Sequence, residues 1–277
     1  MPRGSRSKHT DRQHRQSEHF LRTMLVALAI GFATIAPARA TDFTDLWWNP
    51  NESGWGLNIA HQADTMFITL YVYGTNNRAT WFSITARYAG TDGAGDLLYT
   101  GDLYESTGPW FGGLFPPNSV TIRRAGDATF RATSVETGVI TYTVDGIVAS
   151  KAIERYTLKF MDITGDYLGG IVQTNFNCTN PALNGKTEEA ANVSITHNGP
   201  DVQVMTQSTR RSCNYRGTYG QAGRMGSISN ATFTCSDGTT GTFAAFELDT
   251  STSGFLARFS GTGAGCDFGG DIGGVFR

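Results

Sequence analysis

The feature that most constrains the fold of this chain is a long series of short apolar stretches separated by turn residues. In Gly54–Gln62, for example, Trp55, Leu57, Ile59 and His61 alternate with small or polar residues, which is the two-residue period of a β-strand. Similar stretches follow at regular spacing between turns rich in Gly, Asn and Asp, and none shows a helical period with caps. The sequence therefore predicts an all-β fold of antiparallel β-meanders, each forming a barrel or a sandwich.

The composition supports this prediction and excludes several other classes of protein. The 277 residues include 34 Gly, a residue that is costly inside helices, which argues against a helical bundle. Aromatic residues make up 12% and charged residues 17%, whereas a disordered chain has few aromatics and high charge. Glu, Lys and Leu do not dominate as they would in a coiled coil.

Two halves of the chain differ in composition, which predicts two domains. All five Trp lie before residue 111, all four Cys lie after residue 177, and 19 of the 34 Gly fall in 161–277. We expect a Trp-rich meander domain over residues 41–162 and a Gly-rich, disulfide-containing meander domain over 163–277. The strands predicted in the first domain are Gly54–Gln62, Thr65–Tyr73, Ala79–Tyr88, Leu97–Leu103, Ser119–Arg124, Ala128–Ser134, Val139–Val144 and Ile147–Leu158. Those in the second are Tyr167–Phe176, Asn192–His197, Asp201–Gln207, Ser212–Gly220, Met225–Cys235, Thr242–Leu248, Phe255–Ser260 and Cys266–Phe276.

The first forty residues have the three parts of a secretory signal. A basic, polar stretch precedes an apolar run over Met24–Ala36, and the run ends in Pro37-Ala38-Arg39-Ala40, an A-x-A cleavage signature. The run is shorter than the ~20 apolar residues of a spanning helix. We expect cleavage after Ala40 and export to the periplasm or the extracellular space, with an uncleaved membrane anchor as the alternative.

Residues 41–277 are acidic, with 15 Lys and Arg against 22 Asp and Glu, a net charge of −7. Nucleic-acid binding needs a basic surface to replace counterions, so no nucleic-acid partner is expected. The same charge argues against electrostatic docking on anionic lipids. No phosphate-binding loop or dinucleotide motif occurs, and no cofactor is expected.

The four cysteines of an exported chain predict disulfides, for which three pairings are possible. A hairpin that turns near Arg224 would place Cys213 opposite Cys235, and Cys178 would then join Cys266 at the last strand. A structural zinc site is the competing interpretation, but no C-x₂-C pair or nearby His supports a metal.

Catalytic chemistry finds little support in the sequence. After residue 40 the only histidines are His61 and His197, one in each half, and no G-x-S-x-G motif occurs. Glu52 lies between Trp48 and Trp55, and an aromatic environment of this kind could raise its pKa as a general acid needs. No second carboxylate can be paired with it, and a turn residue is the plainer interpretation. Ile59-Ala60-His61 and Ile195-Thr196-His197 precede similar turns; two related meanders would explain this echo, but on three residues we interpret it as chance.

The segment Asp45–Gly56 contains three Trp interleaved with amides and a carboxylate, which suits a site that stacks a flat ligand and fixes its polar edge. The alternative is that these Trp plug the end of a barrel. On the first interpretation the chain is a non-enzymatic, exported binding module for a small molecule or a sugar. The alternatives are a structural or adhesive envelope protein and a carbohydrate-active hydrolase that uses Glu52. The predicted ligand-binding residues are Trp47, Trp48, Asn49, Ser53, Trp55 and Trp81.

Two resemblances bear on this segment. The string WWNPNESGWGLNIAHQ with the following TMFITLYVYG and ATWF resembles a segment that recurs in uncharacterised exported bacterial proteins, and implies no activity. The pattern Trp47-x-Asn49-x-x-x-Ser53 is similar to the opening of the first strand in the avidin/streptavidin family. That resemblance implies a small up-and-down barrel of avidin or lipocalin type, in which Asn49 and Ser53 would bind the ureido oxygen of biotin. The chain differs from the family at Pro50 and Glu52.

Overall fold

The protein is described by a computed structural model that covers residues 41–277, so the predicted signal segment 1–40 lies outside the described residues. Sixteen antiparallel strands form two closed eight-stranded barrels, which confirms the prediction of an all-β chain with two β-meander barrels. Thr41–Arg277 is one compact unit. Among these residues no helix has the length and apolarity needed to span a membrane.

The first barrel is an up-and-down meander in which each strand pairs with the next and the first returns to the eighth. Its strands are β1 (Asp45–Trp48), β2 (Gly56–Gln62), β3 (Thr65–Tyr73), β4 (Ala79–Thr91), β5 (Leu97–Thr107), β6 (Thr121–Ala132), β7 (Thr137–Val144) and β8 (Ile147–Arg155). A three-residue 3₁₀ turn, Pro117–Ser119, lies between β5 and β6.

The second barrel repeats this topology, with β9 paired to both β10 and β16. Its strands are β9 (Gly165–Phe176), β10 (Gly185–Asn198), β11 (Asp201–Ser208), β12 (Ser212–Ala222), β13 (Met225–Cys235), β14 (Thr240–Ser251), β15 (Gly254–Gly263) and β16 (Cys266–Phe276). A second 3₁₀ turn, Pro181–Leu183, lies between β9 and β10.

The strands differ from the prediction at two places in the first barrel. β1 was not predicted, because four residues are too few to show the period of a strand; it lies in the Trp-rich segment that was interpreted as a site or plug. β6 is one strand where two were predicted, with Gly126 in its middle. A Cβ at position 126 would lie 1.8 Å from the Thr143 carbonyl oxygen, so only glycine lets β6 pass β7 this closely.

Trp47 closes one end of the first barrel. The indole is 1% exposed, its N–H donates to the Phe43 carbonyl at 3.1 Å, and the ring packs edge-on against Phe130. The guanidinium of Arg155, at the end of β8, lies 4.9 Å from the Trp47 ring in a cation–π contact. Large apolar side chains fill the space above this plug; they include Leu57, Met66, Ile68, Leu70, Ile84, Leu103 and Ile140.

The Arg155 side chain is buried, and each of its three guanidinium nitrogens donates a hydrogen bond. It donates to the carbonyls of Val135 (2.7 Å) and Asp42 (2.6 Å) and to the carboxylate of Asp45 (3.1 Å). Burial lowers the pKa of Arg155, and the Asp45 carboxylate opposes that effect. The guanidinium therefore ties the chain entering β1 to the end of β8 and holds the barrel closed.

A hydrogen-bonded clasp fastens the segment before β1 to the end of β2. The Asp42 carboxylate accepts the Thr44 N–H (2.8 Å), and the Thr44 hydroxyl accepts the main-chain N–H of His61 (2.9 Å). The imidazole Nδ1 of His61 accepts the Phe43 N–H at 3.3 Å.

The second barrel repeats the first two of these three bonds. The Asp162 carboxylate accepts the Thr164 N–H (2.9 Å), and the Thr164 hydroxyl accepts the N–H of His197 (3.2 Å). Tyr167 takes the place of the plugging Trp, with its hydroxyl donating to the Ile163 carbonyl four residues earlier (3.1 Å). The echo around the two histidines is thus the sequence trace of one closing device used twice.

Both disulfides are those predicted, Cys213–Cys235 and Cys178–Cys266. Cys213 and Cys235 are direct partners across β12 and β13, as a hairpin turning near Arg224 requires. Because all four cysteines are oxidised, they are not available as thiolate ligands for zinc.

The β12–β13 turn joins the two barrels. The Arg224 N–H donates to the Asp45 carboxylate (2.9 Å), and its guanidinium donates to the Thr44 carbonyl (3.0 Å) and the Asp249 carboxylate (2.6 Å). Gly223 in the same turn has φ +59, and a Cβ there would lie 2.1 Å from the Asp45 carboxylate. The closed end of the first barrel therefore packs against this turn of the second.

Candidate functional site

The structure separates the predicted ligand-binding residues. Trp47 is buried and offers no surface to a ligand; it plugs the end of the barrel, which was the alternative interpretation of the Trp-rich segment. Trp48 is half-buried with its ring edge-on to Tyr156, 4.9 Å between centroids. The Asn49 side chain accepts the Asn51 N–H (2.9 Å) and so stabilises a turn, while Ser53 is exposed in the same turn.

Trp55 and Glu52 lie together at the open end of the first barrel. The Trp55 indole N–H donates to the Glu52 carboxylate (3.1 Å), and the Lys151 ammonium donates to both carboxylate oxygens, at 2.9 and 2.7 Å. The hydrogen bonds from Lys151 lower the pKa of Glu52, and that from Trp55 adds to the effect. The expectation that aromatic neighbours raise this pKa is wrong, and a lowered pKa is the opposite of what a general acid needs.

Trp81 lies apart from these residues, on the outer face of the first barrel. It is the direct cross-strand partner of Tyr71, and both rings are exposed. Tyr73 and Phe67 are exposed on the same face of β3. The six predicted residues therefore do not form one site. Trp47 is buried, so ligand binding stays a prediction only for the five residues that are partly or fully exposed.

An apolar cavity of about 60 Å³ lies inside the second barrel. Its wall is formed by inward-facing residues of all eight strands: Ile171, Gln173, Ile195, Val204, Thr206, Tyr215, Ile228, Phe243, Ala245, Leu248, Phe255, Ala257, Phe259, Phe268 and Ile272. Two alanines, Ala245 and Ala257, lie on this wall among larger side chains, so part of the space is left unfilled.

A second, more polar space of about 150 Å³ forms the mouth of this cavity. It shares Gln173, Tyr215 and Phe268 with the cavity wall, which places the two spaces next to each other. Arg211 and Asn175 also line the mouth, and the Gln173 amide donates to Asn175 at 2.7 Å.

Further polar groups interact with Tyr215, which lines both the cavity and the mouth. Burial raises the pKa of Tyr215, whose hydroxyl is hydrogen-bonded to Thr206 and lies in the field of Arg211 and Glu189. Glu189 lies on the face of β10 that carries the buried Ala191. Its Oε2 is buried, and nothing within residues 41–277 donates a hydrogen bond to it. A buried carboxylate oxygen without a donor is costly, and a ligand can supply the missing group.

The sequence indicates that the second barrel has unfilled space, but it does not indicate where that space lies. The second half lacks Trp and is rich in Gly, which indicates a thin core. Where the unfilled volume lies depends on side chains from eight strands that are far apart in sequence, so strand periodicity alone cannot locate it.

Comparison with protein-family models, with curated proteins and with solved structures finds no match for this chain. The resemblances to uncharacterised exported proteins and to the avidin/streptavidin family therefore stay predictions. The candidate site is argued from its geometry. Within residues 41–277 no group of three or more His, Cys, Asp or Glu side chains is placed to hold a metal ion.

Proposed function

We propose that this protein is an exported binding module whose second barrel holds a small, largely apolar molecule. The observation that carries the proposal is the apolar cavity next to a polar mouth. Eight-stranded barrels either fill their interior with side chains or hold one small ligand. The first barrel is filled by side chains, with its Trp47 plug and packed core, whereas the second barrel leaves space in its interior.

The dimensions and the polar groups define the class of ligand. Drug-sized ligands occupy sites of ~300–1,000 Å³ and benzene needs ~150 Å³, so a cavity of about 60 Å³ suits the end of a short alkyl chain. The unpartnered Oε2 of Glu189, whose charge acts on Tyr215, can accept a hydrogen bond, which favours a ligand with an O–H or N–H.

Methyl NMR with two probes, 1-butanol and 1-octanol, tests this proposal. Each has an apolar body and one donor group, and we expect shifts in the methyls of Ile195, Val204 and Leu248 while those of Ile68 and Leu70 stay in place. Ala257→Leu fills the cavity and should weaken binding at least about tenfold. Trp81→Ala, on the other barrel, is the control and should bind both probes as the parent does.

Absence of shifts with both probes, or shifts confined to the first barrel, would overturn the assignment. A variant Ala257→Leu that binds as tightly as the parent would do the same. If the parent protein binds neither probe in either barrel, the alternative of a structural or adhesive envelope protein is favoured.

A sugar site on the outer face of the first barrel is a second candidate. Tyr71 and Trp81 lie directly opposite each other, and exposed aromatic rings in such a pair form a platform on which a sugar ring can stack. If so, Trp81→Ala should lose retention on insoluble polysaccharides such as chitin and peptidoglycan. Trp110→Ala, which removes an exposed Trp elsewhere, is the matched control. Equal retention of both variants would exclude the platform.

A further inference from the structure

Residues 108–120, called the tip, connect β5 to β6 and form an exposed apolar segment. Phe111 and Leu114 are 92% and 93% exposed and Trp110 is 70% exposed. The tip is held by its own hydrogen bonds, from Gly113 to the Trp110 carbonyl and from Val120 to the Pro117 carbonyl, both 3.2 Å. Large apolar side chains left in solvent on an ordered segment mark a surface that contacts something else.

The neighbouring β7–β8 turn extends this apolar surface. Ile147 and Val148 are exposed there, and the N–H of Asp145 donates to the Ala125 carbonyl of β6 at 2.9 Å. In an up-and-down meander the β5–β6 and β7–β8 connections leave the barrel at the same end. The tip and this turn therefore lie side by side at the open end of the first barrel.

A group of ion pairs, called the collar, lies at the base of the tip. Arg123 pairs with Asp145 (2.7 Å) and Glu105 (2.6 Å), and Arg124 pairs with Asp102 (2.7 Å). The tip itself contains no charged residue. The change from uncharged to charged residues is therefore abrupt, and it lies where the tip joins β5 and β6.

The chemistry of the tip distinguishes between possible occupants. From residue 108 to 117 the sequence is GPWFGGLFPP, in which the Trp110 indole N–H is the only side-chain group that can hydrogen-bond. Protein interfaces carry about one hydrogen bond per 100–200 Å² and a polar rim. The boundary of a lipid bilayer needs no such complement, and it is where indole rings are enriched.

We propose that the tip inserts into the interfacial region of a lipid bilayer, with the collar setting the depth. The force is apolar burial rather than charge, because the collar is paired and residues 41–277 carry a net charge of −7. Zwitterionic lipid therefore suffices, and anionic lipid adds nothing. This proposal is independent of the cavity in the second barrel.

Vesicles of phosphatidylcholine test the insertion, alone and with brominated acyl chains. We expect the protein to sediment with both and its Trp emission to be quenched by the brominated lipid. Trp110→Phe should still sediment but lose most of the quenching. The double variant Phe111→Asp and Leu114→Asp should reduce the partition coefficient at least about tenfold.

Phe160→Asp is the matched control, because Phe160 is 75% exposed and lies outside the tip; it should partition as the parent does. Failure to sediment with phosphatidylcholine, or binding that requires phosphatidylglycerol, would overturn the proposal. So would equal partitioning of the double-Asp variant. A vesicle-free dimer that this variant abolishes, without lipid binding by the parent, would assign the tip to a second copy of the chain instead.

Discussion

At the scale of single residues, the clasp at the base of the first barrel depends on a neutral His61. Its Nδ1 accepts the Phe43 N–H, so in the neutral ring the proton lies on Nε2, for which residues 41–277 supply no acceptor. Burial lowers the pKa of His61, while Asp42 and Asp64 raise it and Arg155 lowers it further, so the net shift is downward. Protonation of Nδ1 would remove the bond that Phe43 makes.

Stability should therefore decrease as the pH falls below 6.5, the ordinary value for histidine in the unfolded chain. The unfolded chain takes up the proton first, and the His61 contribution is complete only above that pH. His61→Gln cannot titrate, so its free energy of unfolding should change less between pH 7.5 and 5.5 in urea titrations. The pKa of Asp42 is lowered, against burial, by bonds from Thr44, so Asp42 titrates below this window. Identical pH dependence in parent and variant would contradict the argument.

The sequence offered two interpretations of the Trp-rich segment and could not choose between them for each residue. Trp47 points into the barrel and Trp48, one position along, does not, as alternation in a strand requires. With only four residues in β1, the phase of that alternation cannot be read from the sequence. The partner that fixes it, Arg155, lies more than a hundred residues later.

At the scale of strands, alternation predicted all eight strands of the second barrel, seven of them to within three residues at each end, whereas β10 begins seven residues before the predicted Asn192. It also left the tip between two predicted strands, without indicating that its apolar residues are exposed. Hydrophobic residues in a turn region give no period, so the sequence cannot tell whether they fold back on the core or project from it.

The two disulfides should differ in their contribution to stability. Cys178–Cys266 closes a separation of 88 residues and Cys213–Cys235 one of 22. Loop-closure entropy assigns about 4.6 kcal/mol to the first and about 3.4 kcal/mol to the second. Replacing both cysteines of a pair by Ala, with unfolding followed by far-UV circular dichroism, should therefore show the larger loss for the first pair. The reverse order would show that the native strain of the bridges outweighs chain entropy.

At the scale of the whole molecule, the β12–β13 turn makes the folding of one barrel depend on the other. Arg224→Ala removes the guanidinium bonds to the Thr44 carbonyl and the Asp42 carboxylate, which cross the junction, and should weaken it by about 2 kcal/mol. Trp fluorescence follows only the first barrel, whereas far-UV circular dichroism follows both, so their midpoints should coincide in the parent and separate in the variant. Arg210→Ala, an exposed change in the β11–β12 turn at the other end of the second barrel, should leave them coincident. Coincident midpoints in Arg224→Ala would show that the barrels are coupled by other contacts.

The closing seams of the two barrels are unequal, since two residue pairs join β1 to β8 and ten join β9 to β16. Under tension between Thr41 and Arg277 the first barrel should peel open at its short seam while the second stays shut. If the β9–β16 seam also separated, the second barrel would still lengthen little. The Cys178–Cys266 disulfide keeps the chain between these two cysteines, a separation of 88 residues, from extending. In mechanical terms the chain is a compliant element in series with a stiff one, and the stiff one encloses the cavity.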